Sequence, residues 1–84
     1  MNENLFLTAE VTAALAENRP VVALESSIVA QGLPAPDNLR VGQAMHDVVR
    51  QQGATPAMTA VLDGRLHVGL GPDDMVRLAD AAHG

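Results

Sequence analysis

The residues best suited to chemistry follow one another at a single point, where Glu25 is succeeded by Ser26 and Ser27. The apolar residues 20–24 precede them and are typical of a β-strand. Open α/β sheets bind their ligands at the carboxyl ends of the strands, which is the position this pattern gives to Glu25. A carboxyl group in an apolar setting has a raised pKa and can hold a proton near neutral pH. We therefore predict that Glu25 is a catalytic acid, with the two hydroxyls bonding to it or to a substrate oxygen.

A structural role is the alternative for Glu25, either as a solvated side chain or as a partner of Arg19 or Arg40. Neither serine stands in a G-x-S-x-G motif, so a serine hydrolase is not indicated. The histidines show no zinc-binding pattern on a helix, and we predict solvent-facing or capping roles for His46, His67 and His83.

A glycine pair near the end of the chain is the remaining candidate. Gly69 and Gly71 stand before Pro72, but the rest of a phosphate-binding motif and its lysine are absent. We predict a simple turn here, followed by a helix whose first turn carries Asp73 and Asp74 as ordinary partners of the helix dipole.

Apolar periodicity and turn residues divide the chain into six elements in the order helix, strand, helix, strand, strand, helix. The pattern predicts a first helix over about 9–17, a second helix with its cap at Asp37 or Asn38 and its C-terminal left-handed residue at Gly53, and a third helix from Pro72 onward through Ala82, with strands at 20–24, 55–62 and 65–68 and a loop at 30–36. Residues 5–7 fit either an edge strand or a hydrophobic staple.

The first long strand should be covered on both faces, because its apolar run has no polar alternation. It should join helix two and the next strand in a βαβ crossover. Asp63 and Gly64 predict a type I′ hairpin turn, and close packing would explain Gly42 inside a helix. The fold class is therefore α/β. We expect residues 1–84 to form a single incomplete domain, the N-terminal part of a larger α/β sandwich-type domain.

Composition narrows the possible partners. The net charge is −5, all five cations are arginines and cysteine is absent, so neither nucleic-acid binding nor disulfides are expected. No apolar run is long enough to cross a membrane, and the polar, acidic first residues differ from a signal peptide. These features predict a soluble, cytoplasmic protein.

Two long segments are similar to one family. Residues 19–38, which read RPVVALESSIVAQGLPAPDN, resemble the N-terminal signature of pseudouridine-5′-phosphate glycosidases, the family that includes indigoidine-locus A proteins. Residues 53–70, GATPAMTAVLDGRLHVGL, resemble the family's next block. The resemblance extends over nearly all of this chain, whereas family members are about three to four times as long.

The resemblance implies an enzyme that reversibly cleaves the C–C glycosidic bond of pseudouridine 5′-phosphate to uracil and ribose 5-phosphate. It further implies a lysine that forms a Schiff base with the opened sugar, a divalent metal, typically manganese (Mn2+), whose ligands lie outside this chain, and a homotrimer. The proton-donating glutamate of the family falls on Glu25. Ser27 and Gln31 stand where the family usually has threonine and histidine.

Because the chain contains no lysine, the resemblance implies that it is inactive by itself. The alternative function is a small non-catalytic α/β interaction module that retains the ancestral pattern.

Overall fold

The computed structural model describes residues 4–81 and contains four strands and three α-helices. Their bounds are β1 Leu5–Leu7, α1 Ala9–Ala16, β2 Val21–Glu25, α2 Asp37–Gln51, β3 Thr55–Leu62, β4 Arg65–Val68 and α3 Pro72–Ala81, with a π-helical turn at Ile28–Gly32 between β2 and α2. Residues 5–7 form a strand, so the observed order begins with a strand rather than a helix. Ala82 and His83 lie outside the described residues.

The four strands form one sheet in the order β1-β4-β3-β2. β1 pairs in parallel with β4 and β2 in parallel with β3, whereas β3 and β4 are antiparallel. Helix α2 therefore joins two parallel neighbours, as the predicted crossover requires. The α/β fold class is confirmed.

The predicted turns are present where glycine or a short polar residue permits a positive φ. Asp63 and Gly64 have φ values of 54° and 73°, as a type I′ turn needs. Gly53, with φ of 85°, follows α2 as the predicted left-handed residue.

The core lies between one face of β3 and the helical elements. Met58, Ala60 and Leu62 alternate along β3 and pack with buried residues of the π-helical turn, of the segment before α3 and of α3 itself, namely Val29, Leu70, Met75, Leu78 and Ala79. Met58 and Val29 are completely buried. A chain with one aromatic residue thus builds its core from aliphatic side chains and methionine.

Two predictions about the first crossover were wrong, the first of them only in part. Residues 30–32 of the predicted loop 30–36 belong to the π-helical turn, at whose start the Ser26 carbonyl accepts hydrogen bonds from the N–H groups of Val29 and Ala30, both at 3.0 Å, whereas 33–36 are not helical. β2 is an edge strand of the sheet and is not covered on both faces, since Val22 and Ala23 point to opposite faces and both are exposed.

Asn38 was predicted as a possible helix cap, but Pro36 occupies that position. Asn38 is instead 0% exposed and connects three helical elements. Its side-chain amide donates hydrogen bonds to the carbonyls of Val29 at 3.1 Å and Ala79 at 3.4 Å, and its oxygen accepts one from the Leu39 N–H at 2.8 Å. Removing this side chain would take these hydrogen bonds away from a buried position.

Gly42 lies where α2 approaches both neighbouring helical elements. A Cβ at this position would stand 2.6 Å from Val29 Cγ2 and 2.8 Å from Met75 Cε, well inside van der Waals contact. The sequence expectation of close packing is confirmed.

We predict that Gly42→Ala destabilises the chain even though alanine is the better helix former. Overpacking costs about 1–3 kcal/mol, which exceeds the helix-propensity gain of about 1 kcal/mol. The free energy of unfolding can be measured by urea titration followed by far-UV circular dichroism, since the chain has neither Trp nor Tyr.

The reverse exchange at exposed Ala44 of the same helix is the matched control. Ala44→Gly should cost about 1 kcal/mol through propensity alone. A Gly42→Ala chain more stable than the original would contradict the packing argument.

Candidate functional site

Glu25 is the last residue of β2, and its register partner on β3 is Thr59. The two side chains therefore share one face of the sheet, because partners in adjacent strands point the same way. The chain leaves the sheet directly after Glu25 and enters the π-helical turn, a feature that occurs often at functional sites.

Ser27 holds the Glu25 carboxylate at both oxygens. The Ser27 N–H donates to Oε1 at 2.8 Å, and the Ser27 hydroxyl donates to Oε2. One residue thus fixes the orientation of the carboxylate with two donors. The expected hydrogen bonding by a neighbouring serine is present.

The pKa of Glu25 is lowered, which is opposite to the sequence expectation. The largest cause is the Ser27 hydroxyl, followed by the Ser27 backbone N–H, since both stabilise the ionised form. The prediction failed because Glu25 is exposed in this chain and the apolar burial it assumed is missing. Within this chain the Ser27 donors therefore favour the ionised form of Glu25.

The expected alternative of an arginine partner is not what the structure shows. Arg19 pairs with Glu17 at 3.1 Å, and Arg40 pairs with Asp37 at 3.4 Å. Among the interactions described for residues 4–81, Glu25 is held by serine donors.

Thr59 is a site residue that the sequence reasoning missed. Its hydroxyl donates to the Leu24 carbonyl at 3.2 Å, which ties β3 to β2 immediately beside Glu25. The available signal was a single hydroxyl within the otherwise apolar second half of β3. Its importance depends on strand register, which the sequence did not specify.

The predicted solvent-facing or capping roles of the histidines were wrong for His46 and His67, since both are buried. The Nδ1 atom of His46 lies 2.9 Å from the carbonyl oxygen of Gly42 in the same helix, within hydrogen-bonding distance. His67 shares the helix-covered face with its β3 partner Ala60, and its Nδ1 is buried without a hydrogen-bond partner. His83 lies outside the described residues.

Asp73 and Asp74 lie in the first turn of α3, as predicted. Asp74 pairs with Arg77 at 3.2 Å and lies 4.0 Å from His67 Nδ1. Gly69 has a φ of 97° and approaches Thr8 closely, as a turn residue does.

Residues 4–81 gather no group of three or more His, Cys, Asp or Glu side chains that could hold a metal ion. The donors in this range therefore do not fit the divalent metal that the resemblance implies. Within the same described range, no helix is both long and apolar enough to span a bilayer.

The sequence as a whole, rather than the Glu25 segment alone, shows the family of the chain. The family model for Indigoidine synthase A like protein matches residues 10–84, and the chain belongs to that family. It is 56% identical over 79 residues to a pseudouridine-5′-phosphate glycosidase of Rhodospirillum centenum, covering 94% of this chain and 25% of that protein. A protein of the same name from Myxococcus xanthus is 51% identical over 77 residues, covering 92% of this chain and 25% of that protein.

A solved structure is similar to the chain in fold. The crystal structure of the prealnumycin C-glycosynthase AlnA in complex with ribulose 5-phosphate superimposes with a TM-score of 0.76 at 35% identity, covering 94% of this chain and 25% of AlnA. The chain thus spans about a quarter of the length of its relatives.

We predict that Ser27→Ala raises the pKa of Glu25 toward its ordinary value, because the hydroxyl that stabilises the ionised form is removed. An NMR titration of the Glu25 carboxyl carbon measures this. Ser27→Thr keeps the hydroxyl and should keep the pKa low.

Glu10 is an internal reference for the titration. Hydrogen bonding from Arg50 lowers the pKa of Glu10, and Ser27 has no part in it. An unchanged Glu25 titration in Ser27→Ala would show that the serine does not control this carboxylate.

Proposed function

We propose that this chain is the part of a pseudouridine-5′-phosphate glycosidase that carries the proton donor, Glu25. The observation that supports this most directly is the Glu25 carboxylate at the end of β2, oriented at both oxygens by Ser27. The chain's identity of 56% to a relative of that name supplies the reaction.

The proposed reaction breaks the bond between uracil C5 and ribose C1′. Water is consumed, uracil C5 gains a hydrogen, and the sugar leaves as ribose 5-phosphate. Because the leaving atom is carbon, protonating a glycosidic oxygen, as in ordinary glycosidases, does not help. The acid must instead deliver a proton to the base carbon and assist opening of the sugar ring.

Glu25 would serve both directions of this reversible step. When the C–C bond forms, its carboxylate removes the C5 hydrogen of uracil as a proton, and the Ser27 hydroxyl holds that carboxylate ionised and in a fixed orientation. In cleavage the same group, now protonated, returns that proton. The name of AlnA, a C-glycosynthase, supports a bond-forming direction in a related protein.

The remaining machinery would come from the three-quarters of a full-length relative that this chain does not span. The chain has no lysine, so a Schiff-base amine must lie there. Manganese and trimeric assembly belong to the same proposal, with the metal ligands outside residues 4–81.

We predict that the 84-residue chain alone releases no uracil from pseudouridine 5′-phosphate in the presence of Mn2+, because it lacks the amine nucleophile. Chromatographic detection of uracil measures this. Sustained turnover by the purified chain would contradict the requirement for a lysine.

A chimera tests Glu25 itself. In it, this chain's sequence replaces the 79 matched residues of the Rhodospirillum centenum relative. We predict that Glu25→Gln lowers kcat of the chimera by about 10²-fold or more, since amides cannot act as general acids.

Glu17→Gln is the matched control, because Glu17 is an exposed glutamate that pairs with Arg19. It should leave kcat unchanged. Activity of Glu25→Gln close to that of the control would end the assignment of Glu25 as proton donor.

A further inference from the structure

An exposed apolar row crosses three strands of the sheet. Leu5, Leu66 and Val61 lie side by side on β1, β4 and β3, since Leu5 pairs with Leu66 and Leu66 with Val61. They are 38%, 45% and 68% exposed. We call them the apolar row.

The apolar row lies on the face of the sheet opposite the main core cluster, and α1 covers another part of this second face, where Val11, Ala14 and Ala57 are buried. Met58, Ala60 and Leu62 point to the core, so Thr59 and Val61 between them point away from it. Glu25 shares this second face through its pairing with Thr59.

The composition of the second face is that of a covered surface. A strand with one face in water normally alternates apolar and polar residues along its sequence. Near-continuous apolar strands are typical of sheets that are covered on both faces. Within residues 4–81, Glu25 is the one charged member among the second-face residues of the four strands: Leu5, Leu7, Val21, Ala23, Glu25, Thr55, Ala57, Thr59, Val61, Leu66 and Val68. The apolar row carries no charged side chain that could form an ion pair with a strongly charged partner.

We propose that the apolar row is a docking surface for the remaining polypeptide of a full-length family member, which covers it and closes over the Glu25 side of the sheet. The choice of occupant rests on length, because three-quarters of the Rhodospirillum centenum relative lies outside the matched region. The inference rests on the proposed function only in treating the chain as part of that longer enzyme.

The test compares the same substitutions with and without the remaining polypeptide. Val61→Thr combined with Leu66→Thr places β-branched side chains, which suit strands, at both positions but adds hydroxyls. In the isolated chain these positions face water and the melting temperature should change little. In the chimera the hydroxyls would be buried, and the melting temperature should fall at least about 3 °C further than in the isolated chain.

Leu15→Thr combined with Val76→Thr is the matched control, because these residues are 55% and 44% exposed on helices α1 and α3. Its effect should be the same in the isolated chain and in the chimera. The proposal would be overturned if the row variant changed the melting temperature equally in the isolated chain and in the chimera. It would also be overturned if the control lost as much additional melting temperature in the chimera as the row variant does.

Two further readouts keep the test decisive. If the chimera is insoluble, the isolated chain is mixed with the unmatched part of the relative, and the row variant should weaken the complex at least about tenfold more than the control. Absence of any complex would overturn the proposal. So would an isolated chain that sediments as a dimer and dissociates in the row variant, since the occupant would then be a second copy.

Activity separates this inference from the proposed function. If the row variant destabilises the chimera but the chimera releases no uracil, the docking surface is supported and the proposed function is refuted. An active chimera that tolerates the row variant as the isolated chain does would refute the docking surface alone.

Discussion

The geometry around Glu25 depends on how closely the π-helical turn is held against the two longer helices. Val29 in that turn is completely buried and fills the space that the missing Cβ of Gly42 leaves free. Asn38 fixes the same segment by donating to the Val29 carbonyl while also reaching Ala79 in α3. Because the turn begins directly after Ser27, these contacts determine where the Ser27 donors stand relative to the carboxylate. A glycine and a buried amide far from the carboxylate in sequence thus position the site.

Two opposing effects set the protonation state of Glu25. Hydrogen bonds from Ser27 favour the ionised form, while removal from water would favour the neutral form. In the chain by itself the first effect prevails, since Glu25 is exposed. Under the proposed function, in which Glu25 both gives and takes a proton, the two effects would have to be closer to balance than they are in this chain alone.

Local sequence patterns predicted most helices and strands, but they did not predict the order of the strands in the sheet or which strand face the helices cover. The bounds of β3 and β4 and the turn at Asp63 and Gly64 follow from composition and φ preferences that act within a few residues. The burial of His67 depends on which strand face α3 covers, and the edge position of β2 depends on sheet order. Neither is a local property. The place of Glu25 at the end of β2 followed from the apolar run before it, but the direction of its pKa shift did not, because that depends on the surrounding solvent.

The apolar second face and the unburied acid have one explanation under the docking proposal. Part of the second face is covered by α1, but the apolar row is not, and each Val or Leu left exposed forgoes up to about 1.5–3 kcal/mol of burial. A polypeptide that covers the apolar row also reduces water around Glu25, because both lie on the same face of the sheet. Desolvation would then act against the Ser27 hydrogen bonds and move the pKa of Glu25 upward, toward that of a proton donor. Completing the fold and preparing the acid would be consequences of the same contact.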